Sequence, residues 1–258
     1  MKDFLFSYEN YSKMLDDIVK VGTITDFEEI AENKTKKFII LRHDVEFSPK
    51  RALKMAKIEY EKGIQSSYFF QLTNNSYNII SKRNIERVNE IKNMGHKVGL
   101  HFHLNGLENI KIIKERIKRE ADLLSYYLGF PINRFSFHRP PDFVLEQTIE
   151  VGGLINAYDS SFFTYTKDAT KLDFSKNIKY VADSKWTQWS YTHPYSCPTK
   201  EFLDKYDKIQ ILAHPFVWTE SGLGILENLK ALLEESREEL IETVGNETKY
   251  VKEYVNEL

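Results

Sequence analysis

The chain of 258 residues reads as one α/β domain built on a mainly parallel sheet. Three observations predict this. Apolar runs without alternation, such as Phe38-Ile39-Ile40-Leu41, suit strands buried on both faces. These runs alternate with amphipathic helical segments, the rhythm of βαβ units. Four of the runs end in histidine beside charged residues or proline, where parallel sheets place their ligands and catalysts. Seven or eight such strands in one chain favour closure into a (β/α) barrel over an open sheet.

The elements follow in order. Ser7, then Tyr11, Leu15 and Ile18 at helical spacing, predict a first helix over 8–20. Residues 22–36 form a polar connection with one short helix, and the first strand covers 37–43. Ser48 as N-cap, Pro49 at the first helical position and Gly63 past the last turn bracket the next helix. A second strand, Ser67–Leu72, leads through a polar loop to a helix capped by Ser81 and stopped at Gly95. The third strand is Lys97–Phe102. An amphipathic helix over 107–128 buries Ile110, Ile113, Ile117, Leu124 and Leu128, and Gly129 and Pro131 end it.

A fourth strand, Arg134–Phe137, precedes a short helix, Val144–Val151, and a fifth strand, Leu154–Tyr158. Residues 160–200 are irregular, with short β candidates at Ile178–Val181 and Trp186–Trp189. Trp186, Trp189, Tyr191 and Tyr195 suit an ordered wall there. The last strand is Ile209–Ala213, and one or two helices over 221–258 close the chain. No repeat or flexible linker divides it, so residues 1–258 form a single domain.

Composition narrows the function. A formal charge of −2, with basic residues spread among acidic ones, carries no nucleic-acid signature. No run of 18 apolar residues and no signal-like N-terminus occurs, so neither membrane insertion nor export is expected. The single cysteine, Cys197, excludes an internal disulfide and fits a reducing, cytoplasmic setting.

Four strand ends carry chemistry: Arg42-His43-Asp44-Val45-Glu46, His101-Phe102-His103, His138-Arg139-Pro140-Pro141 and His214-Pro215. In a parallel barrel all four reach one rim. Imidazole and carboxylate together are zinc-type ligands, and a catalytic site needs three of them with one position open. His101 and His103 share parity, as do Asp44 and Glu46. His96, just after Gly95, reads as structural, and His193 is undecided.

The order of these motifs resembles the polysaccharide deacetylase superfamily, the NodB-like domain of carbohydrate esterase family four. The branch found in surface-polysaccharide biosynthesis is the most similar. The resemblance runs from Phe38 to Trp218 and includes Gly95-His96-Lys97-Val98-Gly99-Leu100-His101 and Ile211-Leu212-Ala213-His214. It implies a distorted, TIM-like barrel of seven or eight strands and a divalent metal, Zn²⁺ or else Co²⁺ or Ni²⁺. The implied reaction removes an acyl group, N-acetyl above all, from a sugar or sugar-containing intermediate.

Two motifs depart from the family pattern. Adjacent aspartates are replaced by His43-Asp44 or by Asp44 and Glu46. The histidine expected four residues after His101 is Asn105, with His103 between.

The resemblance implies Asp44 as base, Arg139 as its ionic partner and His214 as the acid that protonates the leaving amine. Glu46, His101 and His103 are the preferred ligands, and His138 is a ligand or oxyanion donor. His43, Pro140 and Trp218 are candidates for substrate contact. The rivals are an allantoinase-like amidohydrolase on the same barrel, a metal-dependent phosphoesterase, and a catalytically silent sugar-binding homologue.

Overall fold

A computed structural model describes residues 6–33, 37–167, 173, 177–183 and 204–248. Helix α1 (Tyr8–Val21) begins at Ser7, whose hydroxyl accepts the Asn10 amide at 3.1 Å and satisfies a first-turn donor. After the short helix α2 (Phe27–Asn33) comes strand β1 (Phe38–Val45). Then follow α3 (Pro49–Glu61), β2 (Ser67–Phe70), α4 (Lys82–Asn93), β3 (Lys97–His103), α5 (Ile110–Leu128) and β4 (Arg134–His138). The remaining elements are α6 (Asp142–Leu145), β5 (Ile155–Asn156), β6 (Lys179–Ala182), β7 (Lys208–Ala213), a 3-10 turn (Pro215–Val217) and α7 (Ile225–Glu247).

The seven strands are parallel and pair in the order β5-β4-β3-β2-β1-β7-β6. Read around a circle, this is chain order with one ladder missing, between β5 and β6. The sheet curls to bring those two edges together. Arg42 on the central strand β1 reaches both Tyr158, just past β5 (2.8 Å), and Tyr180 on β6 (3.4 Å). Phe163 touches both tyrosine rings, with centroids 5.0 Å away in each case. The architecture is therefore a seven-stranded, distorted (β/α) barrel with a seam closed by side chains.

Strand alternation sorts residues to two faces. On β1, Phe38 and Ile40 point inward to a cluster with Phe27, Phe69 and Phe162, and Ile39, Leu41 and Val45 point outward to the helices. Burying each such side chain contributes about 1.5–3 kcal/mol. The segment around α2 stoppers the lower end: Thr25 bonds to Ile39, and Asp26 pairs with Arg134 inside the barrel. Gly99 is needed by close approach, since a Cβ there would lie 2.5 Å from the Phe69 ring.

Two expected elements differ. The helix predicted at Val144–Val151 is the single turn α6, because it starts earlier, at Pro141, and Val151 instead bridges to Leu154. The tight turn between them uses Gly153 at φ +77. The fifth strand shrinks to two residues, although Ala157 still bonds to the Phe135 carbonyl at 2.9 Å. Trp186, Trp189, Tyr191, Tyr195, His193 and Cys197 lie outside the described residues. Among the described residues no helix is long and apolar enough to cross a membrane.

Candidate active site

Strand β1 runs two residues past the predicted end at 43, so Asp44 belongs to the ladder and Glu46 follows it. Inward parity continues through Arg42, Asp44 and Glu46, one above another along the barrel interior. On β3 it reaches His101, and on β4 Ser136 and His138. The register sets His101 beside Ser136 and His103 beside His138.

Proton bookkeeping fixes the tautomer of His101. Ser136 donates its one hydroxyl proton to Asp44 at 3.0 Å, since an ionised carboxylate only accepts. The 2.8 Å contact between Ser136 Oγ and His101 Nδ1 must then be donated by the imidazole. In the neutral ring the lone pair is then on His101 Nε2, which lies 3.8 Å from Glu46 Oε1 and 3.3 Å from His138 Nδ1. His138 Nδ1 is in turn 2.9 Å from Glu46 Oε1.

The three ligand atoms lie within 4.8 Å of one another. Tetrahedral zinc with nitrogen and oxygen ligands would separate them by about 3.4 Å. Two imidazoles, one carboxylate and a hydrogen bond orienting His101 therefore fit a divalent transition metal.

Electrostatics agree. Burial raises the Glu46 carboxyl, but the imidazoles of His101 and His138 outweigh it and hold the group well below the usual range. Burial likewise opposes charge on Asp44, and Arg42, then His101 and His214, keep its carboxyl lowered. Arg42 Nη2 is 3.4 Å from Asp44 Oδ2, and both side chains are almost fully buried. Its Nε and Nη1 have no hydrogen-bond partner among the described residues. The guanidinium lies 4.5 Å from the Tyr158 ring centroid, a cation–π arrangement that partly replaces hydration.

On the opposite wall stands His214, at the end of β7. Asp183, one residue past β6, accepts its backbone N–H at 2.8 Å and contacts its Nδ1 at 2.5 Å. Asp183 also accepts the Trp218 indole N–H at 3.0 Å. Burial works against charge on His214, yet Asp183 overcomes it and pushes the imidazole up to about 9. Nε2 lies on the side of Glu46, 3.8 Å from Oε1. Between these walls is a cavity of about 360 Å³ lined by Asp44, Glu46, His101, Arg139, Asp183 and His214 with Phe137, Pro140, Tyr158 and Tyr180.

The structure thus brings together Asp44, Glu46, His101, His138, Arg139, Pro140 and His214. It places three other predicted residues elsewhere. His103 stacks on His138 with centroids 4.7 Å apart, and its Nδ1 accepts the Asn105 amide at 2.9 Å. His43 points to the helical face, 2.7 Å from Glu59 and stacked on Tyr68. Trp218 is fully buried against Phe6 and Tyr11. Arg139, at φ +46, lines the cavity but makes no ion pair with Asp44; Arg42 stands there instead. Nothing in the sequence singles out Asp183, although it too follows a strand end: the short β candidate at Ile178–Val181 stops two residues before it.

No family model matches the chain, and no curated protein matches it in sequence. Comparison with solved structures does give matches. Its structural neighbours are CE4 proteins. A CE4 esterase from Streptococcus mutans is 13% identical, with a TM-score of 0.49, over 88% of this chain and 90% of that one. The chitin deacetylase of the fungal pathogen Colletotrichum lindemuthianum is 15% identical, with a TM-score of 0.45, over 77% and 81%. BA3943 of Bacillus anthracis, a CE4 family pseudoenzyme, is 13% identical, with a TM-score of 0.47, over 80% of this chain and 62% of that one.

Proposed function

We propose that this protein is a metal-dependent deacylase that hydrolyses an acyl amide, N-acetyl above all, on an amino sugar. The observation that carries this reading is the facing pair of devices across one cavity. On one wall Glu46, His101 and His138 lie close enough together to hold a divalent metal beside Asp44; on the other, Asp183 pairs with His214 and favours its protonated form. A divalent ion held by Glu46, His101 and His138 supplies Lewis acidity toward an acyl oxygen and toward water.

The chain's own groups do the rest. Asp44, kept ionised by Arg42, takes a proton from the attacking water. His214 gives its Nε2 proton to the departing amine, and the Asp183 carboxylate stabilises the imidazolium until then. His103 supports the His138 ring by stacking, and the aromatic wall of Phe137, Tyr158 and Tyr180 excludes bulk water from the cavity.

The test begins with metal. Purified protein is expected to hold about one transition-metal ion per chain, measured by elemental analysis after dialysis without chelator. His101→Ala should lose it. Metal that is substoichiometric and cannot be restored by zinc, cobalt or nickel would overturn the reading and leave a silent sugar-binding protein.

A further inference from the structure

Of the charged groups that line the cavity, all but one already face an oppositely charged or protonatable partner. Asp44 faces Arg42 at 3.4 Å, Glu46 faces His138 at 2.9 Å, and Asp183 faces His214 at 2.5 Å. His101 lies between Asp44 and Glu46, 3.7 and 3.8 Å from their carboxylate oxygens. The exception is Arg139. It lines the same cavity and is exposed, and among the described residues it makes no hydrogen bond and no ion pair. Asp142, the nearest acid in sequence, takes the Tyr165 hydroxyl instead.

The backbone carries strain at this residue. Arg139 stands at φ +46, a left-handed conformation that is unusual for a long side chain. It also precedes Pro140, and a residue before proline ordinarily takes an extended conformation. Among the described residues the other non-glycine at positive φ is Asn105, of a type that enters this region readily. Strain of this kind persists only where the surrounding structure imposes it, and it gathers at active sites and ligand clamps.

Arg139 is not needed to keep the base ionised, because Arg42 pairs with Asp44. Its five N–H donors form a planar fork that matches two oxygens of one carboxylate or phosphate. We infer that the missing counter-charge comes with the ligand: the acylated sugar that enters the cavity carries an oxyanion, phosphate or carboxylate, and Arg139 clasps it while the acyl group lies between Asp44 and His214. This rests on the deacylase reading for the sugar and its acyl group, and on Arg139 for the charge.

The test measures calorimetric binding to the full chain, independently of turnover. The probes are the methyl glycoside of N-acetylglucosamine, N-acetylglucosamine 1-phosphate and 6-phosphate, and N-acetylmuramic acid. At least one charged sugar should bind about tenfold or more tightly than the neutral one, as a charge-assisted hydrogen bond allows. Which one does so separates phosphate from carboxylate. Arg139→Asn, whose side chain tolerates the left-handed backbone, should bring that probe down to the neutral affinity. Arg139→Lys should restore part of the difference, since it returns the charge without the fork. Equal affinity of charged and neutral sugars, or no binding of any, overturns the inference. So does a preference that Arg139→Asn leaves intact, because another group would then hold the anion. Hydrolysis of the methyl glycoside with the same kcat/KM as every charged sugar also overturns it and leaves the deacylase reading standing. Tighter binding of a charged sugar through Arg139, with no probe hydrolysed, upholds the inference and counts against the deacylase reading alone.

Discussion

Asp44 and His214 face each other across the cavity, and their partners separate their roles. Asp44→Asn retains shape but cannot take a proton near neutral pH, so hydrolysis should fall by roughly 10²–10⁴-fold with metal content preserved. His214→Ala should do the same. Asp183→Asn tests how His214 is tuned. Without the carboxylate the imidazole loses the partner that pushes it up to about 9, so activity should begin to fall at lower pH than in the parent. An unchanged alkaline limb in the pH–rate profile would show that His214 is not the acid. Arg42 is the other residue that decides the site. Arg42→Met leaves Asp44 buried without its cation and should cost about 3–5 kcal/mol in denaturant unfolding. Adding Asp44→Asn should recover part of that loss, because the uncompensated charge goes with it.

At the scale of elements, β1 is a partition between two polar systems. Its inward face carries Arg42, Asp44 and the approach to Glu46; its outward face gives His43 to Glu59 of α3. Glu59 is fully buried and also takes the hydroxyls of Tyr11 on α1 and Ser66 before β2, tying two helices to two strands. Burial would raise its carboxyl, but His43 and the hydrogen bonds around it lower it to about 2. A carboxyl depressed in the folded state stabilises above its ordinary pKa and loses that contribution as pH falls through the folded value. Between about pH 4.5 and 2 the protein should therefore lose stability steeply, by a few kcal/mol from this group. Glu59→Gln should flatten that acid limb in thermal melts taken across the range, at the cost of lower stability near neutrality.

Across the whole molecule, the parts legible in the sequence are those governed by local periodicity. The parallel strands, the caps at Ser7, Ser48 and Ser81, and the convergence of Asp44, Glu46, His101, His138 and His214 followed from apolar runs and what ended them. What could not be read depends on how strands meet in space. The pairing of Asp44 with Arg42 in place of Arg139 reflects a register that brings no strand-end arginine from β4 onto β1. Asp183 became visible only once β6 lay beside β7. His43 and Trp218 are candidates for substrate contact because they adjoin site residues, yet strand parity turns one outward, and the 3-10 turn after His214 buries the other.

The circular strand order has a further consequence, for the sequence of events in folding. Strands β1 to β5 can be added one neighbour at a time, each closing a short loop, whereas the ladder of β1 with β7 joins Arg42 to Leu212 across most of the chain. Loop-closure entropy makes that contact the costly one, so β7 should dock late. The proposed metal ligands Glu46, His101 and His138 all lie on the early part, and His214 arrives only with β7. During refolding in the presence of cobalt, the d–d absorption of the bound ion should rise before hydrolytic activity does. Simultaneous appearance of both signals would mean that the barrel closes in a single cooperative step.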